Sequence, residues 1–172
     1  PDVEGRDLIR RIRRETTPPI VILSGRYGER EKVEALDAGA DDYVTKPFGM
    51  EELLARVRAM LRRTSAHGSA DEPLEAGDVR VDAGAHTVAL RGNPVRLTPK
   101  EFDLLVFMMR NAGRVLTHAT LLRAVWGSQS VEQVEYLRVF VGHLRKKIEP
   151  DPSSPRYILT EPWSGYRFDP GA

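Results

Sequence analysis

The sequence contains no cysteine at all. Without thiols the chain can form no disulfide and no thiolate zinc site, and it has no cysteine nucleophile. It also lacks any apolar run near the roughly 20 residues that cross a bilayer, and no segment has the pattern of a secretory signal. We therefore expect a soluble, cytoplasmic protein that has no membrane partner.

The groups of a catalytic site are missing as well. Ser24 is not in the G-x-S-x-G turn of a nucleophilic serine. The histidines are dispersed, without the short spacing of a metal site: His67, His86, His118 and His143. These absences predict that the chain is not an enzyme and holds no metal.

What the first 64 residues do contain is an alternation of helical and strand-like segments. Residues 20–23 form a continuous aliphatic run, typical of a strand buried on both faces, and residues 42–44 predict a second strand. Apolar spacing predicts helices over residues 5–15, 30–38 and 50–63. This order predicts an α/β unit with a parallel sheet. Because Pro1 is not an initiator and no strand precedes the first helix, we expect the natural protein to start earlier.

A lysine and a proline directly follow the second predicted strand, at Lys46 and Pro47. The carboxyl end of a parallel strand is where open sheets bind anions, so the Lys46 ammonium is placed to neutralise a phosphoryl group. The Lys46-Pro47 bond is a candidate cis peptide.

A second pattern begins after a small, polar linker at residues 65–73, which separates residues 1–64 from residues 74–172. Antiparallel strands are predicted at residues 79–82, 87–90 and 95–97, with a turn at Gly92-Asn93. Thr98-Pro99-Lys100-Glu101 predicts a helix start with a capping box. Two further helices and a terminal hairpin follow, and this order is that of an α+β winged helix-turn-helix domain.

The third of these helices is cationic. Residues 136–148 contain no acid, but they contain Arg138, His143, Arg145, Lys146 and Lys147. We predict that these cations lie along a single helix face, where they would complement the phosphates of DNA. A solvated cationic face without a partner is the alternative.

Residues 36–43 (LDAGADDY) and 136–145 (YLRVFVGHLR) resemble the OmpR/PhoB family of two-component response regulators, and within it the Kdp-type regulators of potassium-transport operons. The resemblance covers nearly the whole chain. It implies the C-terminal part of a receiver domain with a flavodoxin-like parallel sheet in residues 1–64, and a complete winged helix-turn-helix domain in residues 74–172.

The resemblance also implies a phosphorylation switch. Ser24 matches the hydroxyl that bonds the phosphoryl group, Tyr43 the aromatic that rotates inward, and Lys46 the cation that pairs with the phosphate. Taken alone, Ser24 can also be explained as a turn residue at the end of a strand, and Tyr43 as an ordinary half-buried strand residue. The phospho-acceptor aspartate and the acids that hold Mg²⁺ match no residue of this chain, so we expect Mg²⁺ and phosphorylation by a histidine kinase only for a full-length receiver.

In this family a receiver face forms a symmetric homodimer. The resemblance implies crossed ion pairs between subunits, of Lys32 with Glu52 and of Asp42 with Arg56. Asp37 and Arg58 are expected nearby. The alternative is scattered, solvated charge, because exposed pairs contribute only about 0 to 1 kcal/mol each.

The resemblance places the third helix of the winged domain in the major groove. The residues expected nearest base edges are Tyr136, Val139, Gly142 and His143, with Arg138 beside them. Those expected at the DNA backbone or the start of the wing are His118, Trp126, Arg145, Lys146 and Thr160. Trp126 is equally well explained as a core indole. The loop at residues 127–130 matches the segment that touches RNA polymerase.

Three residues depart from the family pattern: Glu135 replaces a common arginine, Pro162 takes the place of a wing-tip arginine, and Trp163 replaces a usual glycine. They leave minor-groove reading open.

Taken together, these patterns and the resemblance predict a DNA-binding response regulator of a potassium-transport operon. The alternative is a receiver-mediated interaction or dimerisation module without sequence-specific DNA binding.

Overall fold

The computed structural model describes residues 5–65 and 72–171, apart from the side chains of residues 62–65 and 129. We call the first range the N-terminal unit and the second the C-terminal unit. The N-terminal unit contains, in chain order, α1 (Gly5–Glu15), β1 (Val21–Ser24), α2 (Glu29–Asp37), β2 (Asp42–Thr45) and α3 (Met50–Ser65). Strands β1 and β2 pair in parallel, with Val21 opposite Asp42 and Ser24 opposite Thr45. The predicted helices and the predicted parallel sheet are confirmed.

One side of this sheet is less covered than the sequence predicts. Ile20 and Ile22 pack against the core, but Leu23 is 43% exposed, so the prediction of a strand buried on both faces is wrong. Alternate side chains of a strand point to opposite faces, and within the described residues one face of β1 is packed. Apolar residues of α1 and α3 are exposed as well: Leu8, Ile12, Met50, Leu54 and Leu61.

The C-terminal unit begins with an antiparallel meander of β3 (Leu74–Ala76), β4 (Val79–Asp82), β5 (Thr87–Leu90) and β6 (Asn93–Pro94). The strand predicted at residues 95–97 is instead this short pairing at Asn93–Pro94, although the Val95 amide still donates to the Val88 carbonyl oxygen at 2.8 Å. The structure also contains β3, which the sequence pattern did not predict.

The helices of the C-terminal unit are α4 (Pro99–Arg110), α5 (His118–Trp126) and α6 (Val134–Ile148), with a short 3-10 helix (Ser128–Ser130) before α6. The capping box is confirmed, because Thr98 accepts from the Glu101 amide while the Glu101 carboxylate accepts from the Thr98 amide. Thr117 caps α5 by accepting from the Thr120 amide.

A three-stranded antiparallel sheet completes the winged fold. Its strands are β7 (Val115–Thr117), β8 (Ile158–Glu161) and β9 (Gly165–Phe168), in the order β7-β9-β8. The β8–β9 hairpin is the wing. Among the described residues, no helix combines the length and the apolar character that spanning a bilayer requires.

The two units share one core. Helix α2 lies against α6, and α3 lies against α5. Buried residues of the N-terminal unit, such as Leu36 and Tyr43, belong to the same cluster as Trp126 and Tyr136 of the C-terminal unit. The N-terminal unit therefore lies directly on the helix that the sequence predicts to enter DNA.

Candidate nucleic-acid interface

Helix α6 presents three different faces, because successive residues turn by about 100° around the helix axis. The inner face packs into the C-terminal unit through Leu137, Val141, Leu144 and Ile148. A second face is open to solvent. The third is covered by the N-terminal unit and α4.

The open face of α6 is defined by Arg138, Gly142 and Lys146, which recur at intervals of four residues. Arg138 and Lys146 are exposed, and Val139 is half-buried at the edge. Nothing lies within 4 Å of the position that a Cβ would take on Gly142. This face therefore has one cation on each side of Gly142, which has no side chain, and this arrangement suits close approach to a polyanionic groove.

The covered face of α6 is defined by Tyr136, Phe140, His143 and Lys147. Tyr136 has no exposed surface, and its hydroxyl donates to the carbonyl oxygen of Tyr43 in β2 at 2.7 Å. The Nε2 atom of His143 lies 2.9 Å from Oδ1 of Asp37 at the end of α2. In this arrangement Tyr136 cannot reach a base, and the outer nitrogen of His143 is occupied.

The prediction that the cations of α6 share a single face is wrong. Arg145, Lys146 and Lys147 are consecutive, so helical geometry spreads them over roughly 200°. The ammonium of Lys147 donates to Oε2 of Glu101 in α4 at 2.6 Å and to the Arg96 carbonyl oxygen at 3.1 Å. Arg138 and Lys146 are the predicted cations that lie on the open face.

Arg145 holds the wing against α6. Its Nη2 atom donates to the carbonyl oxygen of Ile158 at 2.6 Å and to Oγ1 of Thr160 at 2.9 Å, and its guanidinium lies over the Tyr166 ring at 5.8 Å. Thr160 itself is exposed. Arg145 therefore fixes the wing beside the open face, and its predicted phosphate contact stays a prediction.

Glu149 is a second attachment of the wing, and the sequence analysis missed it. Its buried carboxylate accepts from the backbone amides of Arg156, Tyr157 and Ile158, at 2.8 to 3.2 Å. A glutamate directly after a long helix is common on a protein surface, so its position gives no signal of burial. Together with Arg145 it makes the wing and α6 one rigid surface.

The two predicted contacts on α5 have different surroundings. His118 is partly exposed, and its ring meets Tyr166 edge-on at 5.7 Å next to the wing. Trp126 is 2% exposed, and its Nε1 donates to the carbonyl oxygen of Asp41 at 3.0 Å. The core interpretation of Trp126 is confirmed, and the indole is not accessible to DNA in this arrangement.

Asp41 is the centre of the contact between the two units, which the sequence analysis also missed. Its buried carboxylate pairs with the Arg13 guanidinium and accepts from the backbone amides of Ile20 and Lys100, the latter at 3.3 Å. Burial raises the pKa of Asp41, and the charge of Arg13 opposes this shift. The Lys100 ammonium lies over the Trp126 ring at 5.5 Å.

Arg56 makes a second buried polar cluster. It donates to both carboxylate oxygens of Asp42 at 3.1 and 3.2 Å, to Glu52 Oε1 at 3.0 Å and to Oγ of Ser130 in the C-terminal unit at 3.1 Å. Burial raises the pKa of Asp42, and the charge of Arg56 opposes this shift. The pair of Asp42 and Arg56, which we predicted to cross between subunits, is therefore formed within one chain.

The other predicted dimer residues lie around this contact. Lys32 is half-buried on α2, and Arg58 is exposed on α3, where its Nε donates to the Leu54 carbonyl oxygen at 3.2 Å. Asp37 is engaged by His143. The structure therefore uses part of the predicted dimer surface to hold its own α6.

The predicted switch residues meet at the carboxyl edge of the parallel sheet. Ser24 Oγ accepts from the Arg26 amide at 3.1 Å, and the Lys46 amide donates to the Ser24 carbonyl oxygen at 2.7 Å. Tyr43 is buried, with its hydroxyl donating to the Arg26 carbonyl oxygen at 3.1 Å. Lys46 is exposed, and the predicted cis Lys46-Pro47 bond is confirmed. The roles of these residues in phosphate sensing stay predictions.

The described residues do not fit a magnesium site. Across residues 5–65 and 72–171, three or more metal-ligating side chains come together nowhere. The adjacent acids Asp41 and Asp42 are occupied by Arg13 and Arg56.

Two family models match the chain. The model of the response regulator receiver domain matches residues 1–58, and the model described as transcriptional regulatory protein, C terminal, matches residues 92–168. The chain is 48% identical over 168 residues to the KDP operon transcriptional regulatory protein KdpE of Escherichia coli (strain K12), covering 98% of this chain and 75% of that protein. It is 45% identical over 170 residues to the transcriptional regulatory protein KdpE of Mycobacterium tuberculosis (strain ATCC 25618 / H37Rv), with the same coverage.

Solved structures agree with these matches. A RitR C128S mutant superimposes with a TM-score of 0.74 at 28% identity, covering 99% of this chain and 76% of that one, so the likeness spans both units. The DNA-binding domain of RstA from Klebsiella pneumoniae, in complex with the RstA box, superimposes with a TM-score of 0.54 at 27% identity. That match covers 58% of this chain and 99% of the RstA domain.

Proposed function

The chain belongs to the OmpR/PhoB family of DNA-binding two-component response regulators and is of the Kdp type, and from this premise we propose that it regulates a potassium-transport operon by binding its promoter as a homodimer. The full-length protein would receive phosphate from a histidine kinase in the cytoplasm. Ser24, Tyr43 and Lys46 would then transmit the phosphorylation state.

The single observation that supports DNA binding most is the open face of α6 beside the wing. Arg138 and Lys146 are exposed cations on a helix whose inner face is fixed in the core. Arg145 and Glu149 hold the wing next to them. Such a helix can enter a major groove while its flanking cations contact phosphates, which fix its register.

The covered face supports a further step in the proposal. Tyr136 and His143 become available to bases only after the N-terminal unit leaves α6. The proposed dimer contact needs Asp37, Asp42 and Arg56, which are engaged within the chain here. We therefore expect release of α6 and dimer formation to accompany one another, because both draw on the same groups. The loop at residues 127–130 would contact RNA polymerase from this released form.

The test is binding to a duplex that carries the promoter of the potassium-transport operon, across a salt series. Wild-type affinity should exceed that for random DNA and should fall with salt. Arg138→Ala and Lys146→Ala should each reduce the salt slope by about 1, because each removes one phosphate contact. Arg80→Ala is the matched control, since Arg80 is an exposed arginine on β4 paired with Glu75.

Equal affinity for promoter and random DNA would contradict the proposal. So would a wild-type affinity that does not depend on salt. The observation that favours the alternative function, an interaction module without sequence-specific binding, is the withdrawal of Tyr136 and His143 from bases. This alternative predicts a stable dimer whose self-association and partner binding are unchanged by Arg138→Ala.

A further inference from the structure

Trp163 at the wing tip is the most exposed large apolar side chain among the described residues, with a relative exposure of 101%. The other tryptophan, Trp126, is 2% exposed. An indole that contacts nothing inside the protein contributes nothing to burial of apolar surface, which is the main stabilising term in folding. Its position therefore needs another explanation.

The backbone at Trp163 is strained as well. Its φ of 64° lies in the left-handed region, which is unfavourable for a bulky residue. The Ser164 amide donates to the Glu161 carbonyl oxygen at 3.1 Å, which closes a four-residue turn with Pro162 second and Trp163 third. A proline followed by a positive φ is the pattern of a type II turn, whose third position favours glycine. Residues with strained backbones cluster at functional positions.

The wing tip is fixed next to the candidate DNA surface. The His118 amide donates to the Ser164 carbonyl oxygen at 3.3 Å, and Thr117 pairs with Gly165 in the sheet. Gly165 permits this close approach, since a Cβ there would lie 2.0 Å from the Leu116 carbonyl oxygen. Trp163 therefore projects from the same rigid surface as the start of α5 and the Arg145 side of α6.

The chemistry of the tip is apolar. Pro162, Trp163 and Ser164 carry no charge. The nearby carboxylate of Glu161 is paired with Arg167 at 2.7 Å, which neutralises its charge. A contact made by this tip would thus depend on shape and apolar surface, not on ion pairing.

We propose that Trp163 is a DNA-contacting side chain, and that its indole inserts into the minor groove beside the major groove occupied by α6. This inference rests on the proposed function. Apolar side chains placed in a minor groove pack against sugars and base edges and wedge base steps apart, without neutralising a phosphate. Trp163 would thus make, through apolar packing, the wing-tip contact that an arginine of the family pattern would make through its charge.

The experiment compares Trp163→Ala, Trp163→Gly and Trp163→Phe with Arg138→Ala in the same promoter titration. Loss of the indole in the alanine and glycine variants should weaken binding by about tenfold, as for aromatic contacts to bases, while the salt slope stays that of wild type. Arg138→Ala should instead lower the slope. Trp163→Phe should restore much of the affinity.

Fluorescence provides a second readout. Because Trp126 is buried, iodide should quench mainly Trp163, and promoter DNA should protect wild type from quenching but leave Trp163→Phe unchanged. Trp163→Gly relieves the backbone strain, so its thermal stability should be at least that of wild type. A weaker complex from this variant therefore cannot be a folding defect.

The outcomes separate this inference from the proposed function. If wild type binds the promoter with a salt slope and Trp163→Ala binds equally well, the inference alone is wrong. A variant that binds DNA normally but fails to activate transcription would also overturn it, since Trp163 would then contact another protein. If wild type shows no promoter preference, the proposed function fails and this inference fails with it.

Discussion

The open and covered faces of α6 are built from the same helix but differ in almost every physical respect. Arg138 and Lys146 on the open face are solvated. Tyr136 and His143 on the covered face make hydrogen bonds at 2.7 and 2.9 Å with the N-terminal unit. The open face is therefore free to bind a ligand, whereas the covered face is already bound to another part of the chain.

The difference shows how one helix can serve two partners. Exposed cations contribute little to folding, because water screens them, and they retain their long-range attraction for phosphates. Buried hydrogen bonds hold the units together, because an unpaired buried group is costly. A change on the covered face should thus alter stability first and DNA binding second, while a change on the open face should do the reverse.

The largest effect is expected for the substitution Arg56→Ala. It leaves the buried carboxylate of Asp42 without its main partner, and removing one member of a buried pair costs about 3–5 kcal/mol of the free energy of unfolding. It also removes the hydrogen bond to Ser130 across the units. Urea unfolding, followed by Trp126 fluorescence in a Trp163→Phe background, would measure the loss where the units meet.

The matched control is Arg58→Ala, two residues along α3. Arg58 is exposed, so its loss should change the free energy of unfolding by no more than about 0.5 kcal/mol. If the two variants were equally stable, the buried cluster would not be what holds the units together, and the contrast between the faces would lose its basis.

The sequence could predict what depends on short-range chemistry. The capping box at Thr98 and Glu101 is a local pattern, as is the order of three helices and a hairpin in the C-terminal unit, and both are confirmed. Strands β3 and β7 have three residues each, and β7 pairs with β9, about 50 residues later in the chain. Such short strands exist because of their partners, so a local pattern does not predict them.

The contact between the units could not be predicted for a related reason. Its central residues are polar: Asp41, Asp42, Arg13, Arg56 and Lys100. By composition each belongs on a surface, and only the fold brings their charges together. In contrast, the prediction that the cations of α6 share one face could have been corrected from the sequence, since the angular positions of residues 145–147 follow from helical geometry alone.

A sharper test uses Tyr136→Phe, which deletes one hydroxyl from the covered face. Losing its hydrogen bond to the Tyr43 carbonyl oxygen should lower the free energy of unfolding by about 1 kcal/mol. If the N-terminal unit competes with DNA for α6, promoter affinity should rise by up to about fivefold, because up to the same free energy no longer opposes release.

Tyr157→Phe is the control for this measurement. The Tyr157 hydroxyl accepts from the Asp78 amide at 3.0 Å within the C-terminal unit, so its loss should be similarly destabilising without changing DNA affinity. A fall in affinity for Tyr136→Phe would mean that the phenol contacts DNA more than it holds the units together.

The smallest expected effect is the pH dependence of stability that Asp42 causes, and it tests whether burial or the charge of Arg56 dominates the pKa of this carboxyl. Burial raises the pKa of Asp42 above the value of about 3.9 that an aspartate has in the unfolded chain. The folded chain therefore binds a proton at Asp42 more readily than the unfolded chain does. The stability from this group is therefore fully present below the unfolded pKa and is lost as pH rises through the raised pKa. Asp42→Asn does not titrate at this position. The difference in unfolding free energy between wild type and Asp42→Asn should accordingly shrink as pH increases from 4 toward 7. A difference that grew with pH would mean that Arg56 holds the carboxylate charged more strongly than burial opposes it, and the contact between the units would then depend on ion pairing, unlike the solvated cations of the open face.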